Sequence, residues 1–197
     1  MTQVSPAALI ASALAGEAVS FPTDTVPALA ALPEQAKVLF ELKGRDRSKP
    51  LILMAAAAAE LWPYARGSAA EFEAWQQIAQ AHWPGPLTLV LPASAAVPAA
   101  LNPSDPGTIG MRVPNCRTAR TILARTGPLA TTSANRSGEP SLTRLSAVTA
   151  AFPGIAVLAA DASETASGQP STVARWNGTD WTVLRQGPVR LTGSNPD

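Results

Sequence analysis

Residues 43–54, Lys43-Gly44-Arg45-Asp46-Arg47-Ser48-Lys49-Pro50-Leu51-Ile52-Leu53-Met54, run from a basic loop straight into an apolar strand. Four cations and one carboxylate fall within seven residues of a chain whose net charge is only +1. A glycine-broken loop feeding a buried strand holds several positive charges at one fixed point. That arrangement suits an anion of more than one charge: a polyphosphate, a tRNA backbone or a carboxylate substrate. An isolated run of this kind is an ordinary solvated turn. Its weight comes from what surrounds it.

Upstream, residues 33–43 have the spacing of an amphipathic helix, with Val38, Leu39 and Leu42 on one face. Ser5-Pro6 caps a helix over residues 7–15 that stops near Gly16. Residues 18–21 form a short strand that enters the polar turn Pro22-Thr23-Asp24-Thr25. Downstream, residues 55–64 and 69–82 read as helical, broken by Pro63 and Gly67. Trp83-Pro84-Gly85-Pro86 is a rigid turn before a strand at 87–91, and residues 92–106 form a proline- and alanine-rich loop. A strand at 108–113, a helix at 117–125, a strand at 129–132, a turn at 138–141 and a helix at 143–151 follow. Short strands close the pattern at 156–159, 172–176 and 181–184, the last two joined by the hairpin signal Asn177-Gly178. The alternation predicts an α/β domain around one sheet, and the hairpin makes that sheet mixed. Residues 1–190 form one domain, and the chain from Gly187 onward, residues 191–197 above all, reads as a loosely ordered tail.

At 197 residues, with 46% hydrophobic and 15% charged side chains, the chain buries a full core without staples. The near-neutral balance excludes a protein that coats nucleic acid by bulk charge, so any anion site is local. A single cysteine, Cys116, leaves neither a disulfide framework nor a thiolate metal cluster. The start of the chain does not read as a signal segment, and prolines break the long uncharged runs before any becomes a membrane span. A cytoplasmic, soluble protein is expected.

Polar residues cluster at strand ends, where open α/β sheets hold ligands: residues 22–25, the basic loop, Ser133-Ala134-Asn135, and Ser171-Thr172. Neither G-x-x-x-x-G-K with a following hydroxyl residue nor G-x-G-x-x-G occurs. The sole histidine, His82, sits among apolar residues beside Trp83 and reads as structural; Cys116 reads as half-buried and inert. Histidine or cysteine metal sites are excluded by count, although Mg2+ can arrive with a nucleotide. Period-two alternation puts Thr108 and Arg112 on one face, where an arginine suits a carboxylate and a surface ion pair is the plainer alternative.

Taken together and in order, six stretches resemble the YrdC/TsaC family of threonylcarbamoyl-AMP synthases over nearly the whole chain. They are Phe21-Pro22-Thr23-Asp24-Thr25-Val26, Lys43-Gly44-Arg45 with Lys49-Pro50-Leu51-Ile52, Trp83 to Thr88, Gly107-Thr108 to Arg112-Val113-Pro114, Ser133 to Gly138, and Ser171-Thr172-Val173. Leu184-Arg185-Gln186-Gly187 resembles the motif that closes the family's domain. The resemblance implies an α/β fold with an open, twisted mixed sheet, flanking helices and a concave basic cavity. The implied reaction makes threonylcarbamoyl-AMP and pyrophosphate from L-threonine, bicarbonate and ATP, with Mg2+ carried by the nucleotide. The resemblance also implies downstream t6A-transfer proteins that modify adenosine 37 of tRNA, and offers tRNA or double-stranded RNA as a candidate partner for the concave face.

Carried over by position, Lys43, Arg45, Ser133 and Asn135 would be the family's catalytic polar tetrad. The nucleotide would touch Arg45, Lys49, Thr108, Ser133, Ser141 and Arg185, and threonine would lie near Thr23, Arg112, Thr131 and Ser171. Pro27-Ala28, Met54 and Lys49 depart from residues common in the family, which bears on substrate detail more than on fold. Two other readings share these residues: an RNA-binding module without adenylation, and a paralogue acting on another substrate.

Overall fold

The computed structural model describes residues 3–44, 46–159 and 166–191. In chain order its elements are β1 (Gln3–Val4), α1 (Pro6–Leu14), β2 (Val19–Phe21), β3 (Ala28–Ala31), α2 (Lys37–Lys43), β4 (Ile52–Met54), α3 (Ala69–His82) and β5 (Leu87–Pro92). Then come β6 (Thr108–Arg112), α4 (Arg117–Thr126), β7 (Leu129–Ser133), α5 (Leu145–Ala151), β8 (Ala156–Leu158), β9 (Thr172–Trp176) and β10 (Trp181–Arg185). The strands make one open sheet in the order β1-β8-β2-β3-β7-β4-β6-β5-β9-β10. It is mixed: β4 runs parallel to β6 and β5 to β9, whereas β3–β7, β4–β7, β5–β6 and β9–β10 are antiparallel. Among the described residues, no helix is long and apolar enough to cross a membrane.

Local chemistry sets the helix ends. The Ser5 hydroxyl accepts from the Ala8 N–H, and Ser68 and Glu71 form a reciprocal capping box at the start of α3. α2 stops at Gly44, whose φ of 58° is left-handed. The basic loop leaves the helix from that turn.

The two faces of the sheet are treated differently, and that difference makes the site. One face, through Leu29, Leu53, Leu89, Met111, Ala130 and Ala174, packs on the main core with α2, α3 and α5. All five tryptophans of the chain, with Phe72, form a continuous set of ring contacts on this side. Each such pair adds about 0.5–1.5 kcal/mol beyond its buried area. On the other face, α1 and α4 cover only the half of the sheet around β2 and β3, packing Leu9, Val19, Phe21, Ile122 and Leu123. Among the described residues, that face carries no helix over β6, β5 and β9. Its period-two residues, Ile52 and Met54, Thr88 and Val90, Thr108, Gly110 and Arg112, Thr131 and Ser133, and Val173 and Arg175, line an open cavity of about 530 Å³.

Four expectations need correction. Residues 28–31 form a central strand that the sequence does not announce, because four buried residues, three of them alanine, have neither alternation nor strand-forming bulk. Residues 55–64 are not a helix but two 3-10 turns, Ala58–Glu60 and Trp62–Tyr64; Pro63 lacks the donor that a longer helix needs. The predicted helix over 33–43 begins as a 3-10 turn, Pro33–Gln35, before α2. The chain after Gly187 is pinned as far as Leu191. Thr172 donates its hydroxyl to the Val189 carbonyl at 2.8 Å and accepts from the Gly187 and Val189 amides at 3.0 Å each. Val189 and Leu191 also pack on the core. The rest of the expected tail, residues 192–197, lies outside the described residues.

Candidate active site

Arg112, the last residue of β6, sits at one pole of the cavity and is only 3% exposed. Its Nε donates to the Gly85 carbonyl at 3.0 Å, Nη1 to the Thr25 hydroxyl at 2.9 Å, and Nη2 to Asp24 Oδ1 at 2.6 Å. Burial pushes the guanidinium below its ordinary pKa, and the Asp24 carboxylate opposes that shift. The polar turn after β2 is therefore built around the arginine. Thr23 donates to the Val26 carbonyl at 2.7 Å and accepts from the Thr25 amide at 3.2 Å, which fixes both threonines at the cavity wall. Asp24 Oδ2 is buried with no hydrogen-bond partner, so the carboxylate spends one oxygen on Arg112 and leaves the other unsatisfied. Thr131 and Ser171 line the same cavity, and both are buried.

Arg185 reaches the cavity by a different device. Val183 pairs with Ala174 and Arg185 pairs with Val173, so Leu184 is an extra residue in β10. The bulge turns both Leu184 and Arg185 to the cavity, where strict alternation would send one of them away. Arg185 then donates Nε and Nη2 to the Ser171 carbonyl at 3.0 and 2.8 Å. The Ser171 hydroxyl also lies 2.9 Å from that of Thr88. Burial again lowers the guanidinium pKa.

Behind the opposite wall, Lys43 is 2% exposed and donates Nζ to the Ser133 carbonyl and, at 3.1 Å, to Asn135 Oδ1. The Ser133 hydroxyl donates to the same Asn135 oxygen at 2.6 Å, and Asn135 Nδ2 closes the turn on the Arg136 and Glu139 carbonyls. Of the expected tetrad, Ser133 lines the cavity, Lys43 and Asn135 stand behind it as a clasp, and Arg45 lies outside the described residues. Lys49 lines the cavity beside Ser48. Thr108 does too, but its hydroxyl is already engaged, donating to Asp105 Oδ2 at 2.9 Å and accepting from Asn102 at 3.1 Å. Ser141 is not among the residues that line the cavity. Cys116 is more buried than expected, at 2%, and caps α4 by accepting from the Ala119 amide at 3.4 Å.

A family model for Sua5/YciO/YrdC proteins, described as telomere recombination, matches residues 12–187. The chain belongs to the Sua5/YciO/YrdC family. It is 38% identical over 182 residues to threonylcarbamoyl-AMP synthase of Pyrococcus abyssi, covering 89% of this chain and 52% of that protein. With the synthase of Pseudoalteromonas atlantica it shares 33% identity over 164 residues, 81% of this chain and 86% of the relative. The chain thus spans about half the length of the Pyrococcus relative and most of the Pseudoalteromonas one. The crystal structure of P. abyssi Sua5 complexed with L-threonine superposes with a TM-score of 0.81 at 34% identity, over 94% of this chain and 55% of that one. E. coli YciO, 20% identical with a TM-score of 0.80 over 97% of this chain and 94% of its own, shares the fold.

Within this Sua5/YciO/YrdC cavity, sequence reasoning missed Asn102, Asp105, Arg175 and Leu184. Arg175 was legible, because it lies at period two from Ser171 and Val173. Asn102 and Asp105 carried no signal inside a proline-rich loop. Leu184 depends on the bulge.

Gly187 ends the motif Leu184-Arg185-Gln186-Gly187, and close packing explains why a glycine stands there. A Cβ there would fall 2.4 Å from the Thr172 amide nitrogen and 2.5 Å from the Pro170 carbonyl oxygen, both backbone atoms that cannot yield cheaply. Gly187→Ala should therefore displace the segment that seats Ser171 and Arg185, with a loss of about 1–3 kcal/mol by overpacking. Chemical denaturation checks it; an unchanged midpoint would mean the segment relaxes freely.

Proposed function

We propose that this chain is an L-threonylcarbamoyladenylate synthase, a nucleotidyltransferase that converts L-threonine, bicarbonate and ATP into threonylcarbamoyl-AMP and pyrophosphate. The observation that carries the reading is the single uncovered sheet face. In one cavity it gathers a buried arginine, held by the Gly85 carbonyl, the Thr25 hydroxyl and Asp24, with Lys49 of the basic loop and a second arginine. An amino-acid carboxylate fits the first group and a polyphosphate the second.

No enzyme nucleophile is required. Threonine's amino group attacks bicarbonate carbon and water leaves, giving a carbamate; a carbamate oxygen then forms a bond to the α-phosphorus of ATP as the bond to pyrophosphate breaks. The protein's task is to hold two anions together and to neutralise charge on the phosphorus and the departing group. Arg112, Thr23, Thr131 and Ser171 would hold threonine; Arg45, Lys49, Ser133 and Arg185 would meet the nucleotide, with Lys43 and Asn135 orienting Ser133. Thr108 acts through Asp105 and not as a free donor. Mg2+ would travel with the nucleotide, held mostly by its phosphates and by water. The adenylate would pass to t6A-transfer proteins that modify adenosine 37 of tRNA.

The deciding experiment is pyrophosphate release from ATP and Mg2+ with threonine and bicarbonate omitted in turn. Release that needs both, with the adenylate seen by mass spectrometry, is the expected result. ATP left intact under every combination would refute the proposal.

A further inference from the structure

Among the described residues three arginines line the cavity, and they are held very differently. Arg112 and Arg185 are fixed by carbonyl, hydroxyl or carboxylate acceptors at 2.6–3.0 Å. Arg175 on β9 has a looser tie: its Nη2 lies 3.6 Å from Asp105 Oδ2, with the two side chains 48% and 50% exposed. That is longer than a charge-assisted hydrogen bond, and an exposed pair of this kind contributes about 0–1 kcal/mol.

The sheet register says where Arg175 points. It pairs with Val90, which pairs with Gly110, which pairs with Ile52, which pairs with Thr131. This row crosses the cavity floor, so Arg175 stands on the same face as the residues that line it. Asp105, in contrast, cannot follow. Its carboxylate accepts from Thr108 at 2.9 Å and its amide donates to Asn102 Oδ1 at 3.3 Å. The next residue back, Ser104, donates to the Arg47 carbonyl at 3.2 Å, which docks this loop on the basic loop. Asp105 is thus a fixed carboxylate between the basic loop and a movable arginine.

We infer that Arg175 is a further polyphosphate-binding residue and that Asp105 is its displaceable counter-ion. A nucleotide's phosphates offer Arg175 a bidentate, doubly charged acceptor, which outbids a 3.6 Å exposed pair. The Asp105 charge stays beside any polyphosphate so bound and opposes it, which limits how tightly the anion is held. The roles in turnover rest on the synthase reading; the anion binding does not.

Calorimetric titration of the whole chain with inorganic pyrophosphate, and separately with ATP, separates the two. Arg175→Gln should weaken pyrophosphate binding roughly tenfold, equivalent to about 1.4 kcal/mol. Asp105→Asn should act in the opposite direction, tightening it several-fold, on the order of one lost like-charge contact. In the Arg175→Gln background, the Asp105→Asn gain should shrink, because part of it comes from freeing the arginine. Opposed signs with this coupling support the inference even if no adenylate is ever made. Weaker binding in Asp105→Asn overturns it and makes Asp105 a ligand contact; no change in either variant overturns it outright.

Discussion

Arg112→Ala is expected to lose about 3–5 kcal/mol of stability, the usual consequence of removing one partner of a buried ion pair. The partner left behind is Asp24, whose second carboxylate oxygen already lacks a hydrogen bond. Removing Nη2 strips the first oxygen as well, and the Gly85 carbonyl and Thr25 hydroxyl lose donors in the same step. The double variant Asp24→Asn/Arg112→Ala should recover part of the stability by discharging the orphan. It should recover none of the threonine-dependent activity.

That split separates a structural arginine from a substrate-binding one. Arg112→Lys sharpens the distinction, because an ammonium can still pair with Asp24. A lysine cannot span Asp24, Thr25, the Gly85 carbonyl and a substrate carboxylate in one plane. The KM for threonine should therefore rise more than that for ATP. Equal rises would remove Arg112 from threonine's subsite, and activity restored along with stability in the double variant would do the same.

How far such a site is legible in sequence depends on the kind of interaction. Strand-borne residues such as Thr108, Arg112, Thr131 and Ser133 obey period two, so their common face follows from the chain alone. What could not be read is that this face lacks a helix over half its width, since the positions of α1 and α4 are a matter of tertiary packing. The strand at 28–31 was hidden for a related reason: it pairs on both sides and is fully buried, so its sequence carries no contrast. Partner identity was also hidden. Nothing in Thr23-Asp24-Thr25 announces that the aspartate would face inward to Arg112, 88 positions away. Arg185 shows the opposite limit, because a motif pointed to it while only a bulge explains its direction.

Lys43→Met is the second large effect expected, and it should divide stability from activity in the reverse proportion. Lys43 closes α2, and its backbone carbonyl accepts from the Ser137 amide at 3.1 Å while its ammonium clasps Ser133 and Asn135. Methionine keeps the stem and the packing and removes only the buried charge and its hydrogen bonds. Taking a charged donor from such acceptors costs about 1.5–3 kcal/mol, partly repaid because the ammonium no longer has to be desolvated. The melting temperature should therefore fall by only a few degrees. Activity has more to lose. A unit charge about 6 Å from a phosphate oxygen, at an effective dielectric near 20, is worth about 3 kcal/mol, or roughly a hundredfold in rate. The Ser133 hydroxyl also loses the clasp that fixes its acceptor, Asn135. The expected result is a fall of roughly a hundredfold or more in ATP-dependent pyrophosphate release from a protein that still melts cooperatively. If turnover survives while the melting temperature collapses, Lys43 serves the α2 terminus and not the chemistry, and the charge on that wall must come from the basic loop alone.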